Sequence, residues 1–215
     1  MIYLLSDLHG ELDFAAFDTY LQEDHTQDLL VILGDIGLEF ENTEENKQFT
    51  RYFLSARCPI ALVDGNHENF DYLYSFPVED WQGGKVHRLT PNIVHLMRGH
   101  IFQLEGSSFF VFGGCKSSSK WKTQGKWFPQ EVPSPEEYAQ AYESLKKYGN
   151  RVDYILTHKY YDDPEDPHLV PEQYRLNQYI DSCVDFKQWY SGHIHKNRIF
   201  DARHRMIYNI PVCVE

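Results

Sequence analysis

The sequence predicts an α/β fold made of two packed β-sheets with helices on their outer faces. Three observations lead there. Short aliphatic runs alternate with helix-like stretches through the first third of the chain. The middle carries a series of short strands separated by turn residues. A capped amphipathic helix then leads into further aliphatic runs in the last third.

Ile2 to Leu5, Leu29 to Leu33 and Ile60 to Val63 have the length and the Ile/Val/Leu content of strands covered on both faces. Residues 11–23 and 43–56 between them read as helices, and a short helix follows at 68–75. A βαβαβ order implies parallel strands with right-handed crossovers. Val86 to Leu89, Ile93 to Met97, Ile101 to Leu104 and Ser108 to Phe112 are short strands. Pro-Asn, Arg-Gly-His and Glu-Gly-Ser separate them, as hairpin punctuation does.

A helix starts at Ser134, with Pro135 at its first position and Glu137 three residues on, the pattern of a capping box. Tyr138, Ala141, Tyr142, Leu145 and Tyr148 form its core-facing stripe, and Gly149-Asn150 ends it. Tyr154 to Leu156 reads as a strand, 172–185 as a helix and 189–194 as a strand. Ile199-Phe200 and Met206 to Ile210 suggest a closing hairpin.

The length of 215 residues fits a single domain over 1–215, and 42% apolar residues suffice for a sizeable core. An aromatic content of 15% excludes a disordered chain. Twenty Lys and Arg against 32 Asp and Glu leave a net charge of −12. That balance argues against a nucleic-acid partner, which would need a basic face. It leaves small phosphorylated substrates open, because a bound metal reverses the local sign. Cys58, Cys115, Cys183 and Cys213 form no C-x-x-C pair and no disulfide framework, which suits a reduced, cytoplasmic setting. The longest clean aliphatic run, Leu29 to Leu33, falls well short of the roughly 20 residues of a membrane span. The first residues have no basic segment and meet Asp7 too early for a signal peptide.

Polar residues gather at the carboxyl ends of the predicted strands, where open α/β sheets bind ligands. Asp7-Leu8-His9, Gly34-Asp35, Gly65-Asn66-His67-Glu68, Thr157-His158 and Gly192-His193-Ile194-His195 each follow one strand. In extended backbone, residues i and i+2 share a face, so Asp7 with His9, and His193 with His195, are expected to aim at one point. Two carboxylates, one amide oxygen and four imidazoles suit Mn, Fe or Zn, and the lack of thiolate disfavours a structural Zn site.

Taken in order, Asp7-x-His9, Gly34-Asp35, Gly65-Asn66-His67-Glu68, His158 and Gly192-His193-x-His195 resemble the calcineurin-like metallophosphoesterase family. The resemblance spans residues 7 to 195. It implies a four-layer sandwich of two mixed β-sheets flanked by helices, with two divalent metal ions at the strand ends. Asp7, His9, Asp35 and His195 would hold one metal. Asp35, Asn66, His158 and His193 would hold the other, with Asp35 bridging. His67 would face the substrate as the catalytic acid. The implied reaction is hydrolysis of a phosphate mono- or diester by a hydroxide bridging two metals about 3.5–4 Å apart. The alternative is a scaffold that kept the fold without the chemistry, as the retromer scaffold subunit of this superfamily did. Such scaffolds tend to lose ligands, and here every matching position is filled.

Protein Ser/Thr phosphatases of this superfamily carry Asp-Arg-Gly soon after Gly-Asp. Leu38 and Glu39 occupy those Asp and Arg places here. Glu39, the nearest acid in sequence, is the expected partner for the His67 ring. Lys116, Lys120, Lys122 and Lys126 form the densest cluster of cations and are candidates to clamp the substrate phosphate. Asp162, Asp163, Glu165 and Asp166 read as a solvated acidic loop. His25, His87, His95, His100, His168 and His204 read as ordinary polar residues. Trp121, Trp127 and Phe128 would stack a base or cap the core.

Overall fold

The computed structural model describes residues 1–11, 15–118, 127–160 and 170–214. Its first sheet contains β1 (Ile2–Leu5), β2 (Leu29–Leu33), β3 (Ile60–Val63), β4 (Val78–Trp81), β5 (Gly84–Thr90), β6 (Ile93–Leu96) and β13 (Val212–Cys213). The strand order is β13-β1-β2-β3-β6-β5-β4. The second sheet contains β7 (Ile101–Leu104), β8 (Ser107–Phe112), β9 (Tyr154–Thr157), β10 (Gln188–Ser191), β11 (Arg198–Ile199) and β12 (His204–Met206), in the order β11-β12-β10-β9-β8-β7. Parallel ladders run from β1 to β2, β3 and β6, and from β8 to β9, β10 and β12. Antiparallel strands close the margins, so both sheets are mixed.

Strand periodicity builds the layers. In β2, Leu29, Val31 and Leu33 join the cluster between the sheets, while Leu30 and Ile32 face outward. In β8, Phe109 and Val111 face inward, while Phe110 and Phe112 face outward. The outward side of the first sheet packs on α1 (Ala15–Gln22) and α2 (Glu44–Leu54) through Phe17, Tyr20, Phe49 and Phe53. The outward side of the second packs on α4 (Pro135–Lys147) and α5 (Pro171–Cys183) through Tyr138, Leu145, Leu176 and Ile180. Full burial of one such side chain stabilises by about 1.5–3 kcal/mol. The result is the expected helix–sheet–sheet–helix stack. A one-turn helix, α3 (Phe70–Leu73), follows β3.

Ser134 caps α4 as its sequence indicates. Ser134 Oγ accepts from the Glu137 amide at 3.2 Å, and Glu137 Oε2 accepts from the Ser134 amide at 2.7 Å. Tyr148 is the exception on that helix, exposed at its C-terminal cap. The strand expected at 189–194 ends at Ser191, where Gly192 turns the chain and His193 takes φ 82°. The closing hairpin is shorter than expected, since strand pairing stops at Met206 and does not reach Ile210. Strand β4 escapes the sequence pattern because its four residues are mostly exposed at the sheet edge. Among the described residues no helix is long and apolar enough to cross a membrane. None of the four cysteines forms a disulfide.

Asp153 fixes β8 against β9. Its carboxylate accepts from the Ser108 amide and hydroxyl, each at 2.8 Å, and pairs with Lys187 at 2.9 Å. The Ser108 amide and then Lys187 push its pKa down from 3.8 to about 2. A depressed carboxylate stabilises above the unfolded-state pKa and loses that contribution as pH falls through the folded one. Relative to Asp153→Asn, the parent's extra resistance to urea should be constant above about pH 5 and be lost as pH falls through about 2. A difference that does not change across that window would mean that the Asp153 charge contributes nothing.

Candidate metal centre

The loops after β1, β2, β9 and β10 meet at the carboxyl ends of the two sheets. After β1, β2 and β10 the backbone is not extended. Asp7, His9, Asp35, His193 and His195 have φ of 61°, 52°, 54°, 82° and 53°. This corrects the expected extended pairing of Asp7 with His9 and of His193 with His195: left-handed turns, not strand alternation, aim these side chains. Each such residue costs about 1–3 kcal/mol and persists only where its surroundings hold it. The Asp7 amide donates to Gly34 O at 3.0 Å, and the His9 amide to Asp35 O at 2.8 Å. The His193 amide donates to Asp7 Oδ2 at 3.0 Å. Gly34 has φ +91°, and any side chain there would collide with the His158 ring. A side chain at Gly65 would strike the Asp35 carboxylate.

The turns assemble three overlapping groups: Asp7, His9 and His195; His9, Asp35 and His67; Asp35, His158 and His193. Within each, the possible ligand atoms lie within 4.8 Å of one another. In the first, His9 Nε2 is 2.8 Å from His195 Nε2, which is 3.5 Å from Asp7 Oδ1. Asp35 spans the groups, with Oδ2 3.6 Å from His9 Nε2 and Oδ1 3.4 Å from His158 Nε2. His158 Nε2 is also 3.1 Å from His193 Nδ1 and 3.3 Å from Asn66 Oδ1. All seven residues expected to bind metal thus meet in one place.

The donor chemistry fits a cation. His158 Nδ1 lies 2.8 Å from Leu33 O, and a carbonyl only accepts, so Nδ1 carries the proton. In the neutral ring Nε2 then presents a lone pair. It points at Asn66 Oδ1 and Asp35 Oδ1, both acceptors as well. With the ring neutral, as a metal ligand must be, these converging lone pairs match the donor set of a divalent ion.

Asp35 is buried, which opposes its charge, yet the neighbouring imidazoles, His158 first and then His9, hold its carboxyl well below the usual range when those rings are protonated. The hydrogen bond that the His195 ring donates to the Asp7 carboxylate raises the pKa of His195. His67 lies edge-on to His9, ring centroids 4.7 Å apart, and 5.2 Å from the Phe40 ring. Burial lowers its pKa, against the pull of Asp35. Phe40 also neighbours Phe128 at 6.3 Å, so Phe128 belongs to the wall beside His67. Lys116 is exposed. Lys120, Lys122, Lys126, Trp121, His168 and the acidic loop Asp162, Asp163, Glu165 and Asp166 lie outside the described residues, as does the stretch 12–14 at the predicted start of the first helix.

Sequence reasoning gave no role to several supporting residues. Glu68 is buried and accepts from the amides of Ile36, Gly37 and Gly65 at 3.0, 3.3 and 3.2 Å, tying two ligand loops together. Its place directly after Asn66-His67 was the only signal. Asp64, buried just before Gly65, takes Arg98 Nε at 2.8 Å and lies 3.0 Å from His95 Nε2. His95 and His87, read as ordinary polar residues, are therefore part of a buried network, with their Nδ1 atoms 3.0 Å apart. Burial and the neighbouring His95 bring the His87 pKa down to about 4.

The sequence matches the calcineurin-like phosphoesterase family over residues 1–197. The chain belongs to that family. No curated protein matches it. Among solved structures, the protein of unknown function AQ665 from Aquifex aeolicus is 15% identical, covering 99% of this chain and 94% of its own, with a TM-score of 0.46. A second solved chain is 11% identical, covering 96% of this chain and 88% of its own, and its TM-score of 0.51 reflects a shared fold.

Proposed function

We propose that the protein is a dinuclear metal-dependent phosphoesterase acting on a small phosphate mono- or diester. The observation that carries this is the convergence of Asp35, Asn66, His158 and His193 beside a second cluster of Asp7, His9 and His195, which Asp35 Oδ2 approaches at His9. These seven residues would hold two divalent ions, with Mn, Fe and Zn the metals suited to the donors. When bound, such ions neutralise phosphoryl oxygens and acidify the attacking water.

The chain's own groups supply the rest. Asp7 and Asp35 together bring two negative charges against two divalent ions, leaving a local charge of about +2 that suits phosphate. His67 would hold a proton for the leaving oxygen. Burial disfavours its imidazolium, and the anionic substrate restores it by the opposite effect. Phe40 and Phe128 line that side with apolar rings.

The lysines at 116, 120, 122 and 126 are proposed to grip the phosphate in place of the missing Arg. Each Lys→Ala change is expected to raise KM by up to about fivefold, as for one exposed ion pair, with less effect on kcat and none on metal content. Four variants matching the parent would leave the loop a solvated surface.

The proposal is tested by stripping metal, adding Mn²⁺ and assaying phosphate monoesters, diesters, cyclic nucleotides and dinucleoside polyphosphates. Metal-dependent turnover of at least one class is expected. Metal uptake without any turnover would favour the scaffold reading instead.

A further inference from the structure

Behind Asn66 lies a buried chain of hydrogen bonds. Asn66 Nδ2 is 3.2 Å from Ser117 Oγ, which is 2.6 Å from Glu131 Oε2. The Ser117 amide donates to Glu131 Oε1 at 2.7 Å. Asn66 is 5%, Ser117 5% and Glu131 0% exposed. Glu131 closes the short helical turn Pro129–Glu131, whose Gln130 carbonyl accepts from buried Arg98 at 3.0 Å. The segment around Ser117 touches a second candidate ligand as well: Cys115 Sγ is 3.7 Å from His193 Nε2, the ring nitrogen opposite the one that faces His158.

We infer that Ser117 and Glu131 are positioning residues that fix which end of the Asn66 amide faces the metal. The inference rests on the reading of Asn66 as a ligand. Its logic is one of proton direction. A carboxylate accepts only, so the Ser117 hydroxyl donates to Glu131 and has only lone pairs left for Asn66. The Asn66 NH₂ group must then turn toward Ser117. That leaves Oδ1, the only atom of the amide able to bind a cation, directed at His158. Without this relay the two orientations of the amide differ little in shape, and one of them presents N–H protons to the ion.

Glu131→Gln is the sharpest test because it changes no volume. The Ser117 amide needs an acceptor and cannot reverse, so it claims the single amide oxygen of the new side chain. The NH₂ group then faces Ser117 Oγ. The hydroxyl is forced to donate toward Asn66, and the Asn66 amide is turned over. Ser117→Ala removes the link without reversing it, and Ser117→Thr retains a hydroxyl.

The experiment titrates Mn²⁺ into metal-stripped parent and variants by calorimetry, with electron paramagnetic resonance reporting coupled Mn pairs. The expected result is a loss of 10–100-fold in affinity at one of two sites in Glu131→Gln and Ser117→Ala, the usual range for partners of metal ligands. The coupled-pair signal should fall with it, and Ser117→Thr should stay near the parent. Thermal unfolding of the stripped proteins separates positioning from general stability, and Ser117→Ala carries the test if Glu131→Gln does not fold. Parent-like affinity at both sites in the folded variants would overturn the inference, as would equal weakening at both sites with a lowered melting temperature of the stripped protein. A parent that takes up no Mn²⁺ would instead overturn the reading of Asn66 as a ligand.

Discussion

Metal-stripped protein supplied with Mn²⁺ is expected to bind two ions per chain, and Asp35→Asn is expected to lose high affinity at both. Asp35 directs one oxygen at each cluster, Oδ2 toward His9 and Oδ1 toward His158. Oδ1 also accepts from the amides of Asn66 and His67 at 2.8 and 2.7 Å. In Asp35→Asn the amide oxygen must stay with those two donors. The NH₂ group then faces His9 and presents protons to the first ion. The second ion keeps an oxygen but loses the negative charge. Affinity should fall by more than about 100-fold at the first site, beyond the cost of losing an outer partner. Elemental analysis after dialysis checks this. Two ions retained by the variant, or only traces in the parent, would sink the dinuclear reading.

His67→Ala is expected to separate metal from turnover. His67 neighbours His9 and Phe40, and its proposed task is proton transfer to the leaving oxygen. The variant should keep both ions and lose on the order of 10²–10⁴ in kcat. The loss should shrink for nitrophenyl esters, whose leaving group needs no proton. Loss of an ion would make His67 a ligand, which its place in a group with His9 and Asp35 also permits geometrically. An equal loss for good and poor leaving groups would remove its role as an acid.

The parts of the fold legible in the sequence are those where local pattern and burial agree. The aliphatic runs of β1, β2 and β3 are buried almost throughout, so composition alone marks them. Ser134-Pro135-Glu136-Glu137 is a local signal with a local cause, and it caps α4 as read. The candidate ligand set was legible because Asp, His and Asn followed one strand after another. How those side chains are aimed was not. Left-handed φ at Asp7 or His195 depends on hydrogen bonds across the two sheets, such as His193 N to Asp7, which join residues 186 apart. Ser117 and Glu131 were hidden for the same reason. They lie 51 and 65 residues beyond Asn66, and neither Ser nor Glu is distinctive by itself. The edge strands β4 and β13 carry too few buried side chains to produce a pattern.

The centre draws Asp7, His9, Asp35 and Asn66 from the ends of one sheet and His158, His193 and His195 from the other. Neither sheet owns a complete set of donors. During synthesis, a nascent chain that has emerged through Asn66 carries four of the seven proposed ligands, yet each proposed site still lacks a histidine from the last third. Loading of both proposed sites would therefore wait until residue 195 has left the ribosome and the second sheet has docked on the first. Ions bound as proposed would act as rivets between the sheets, closing a loop of nearly the whole chain. A chelator would then do more than silence the site: it would lower the barrier to prying the two sheets apart.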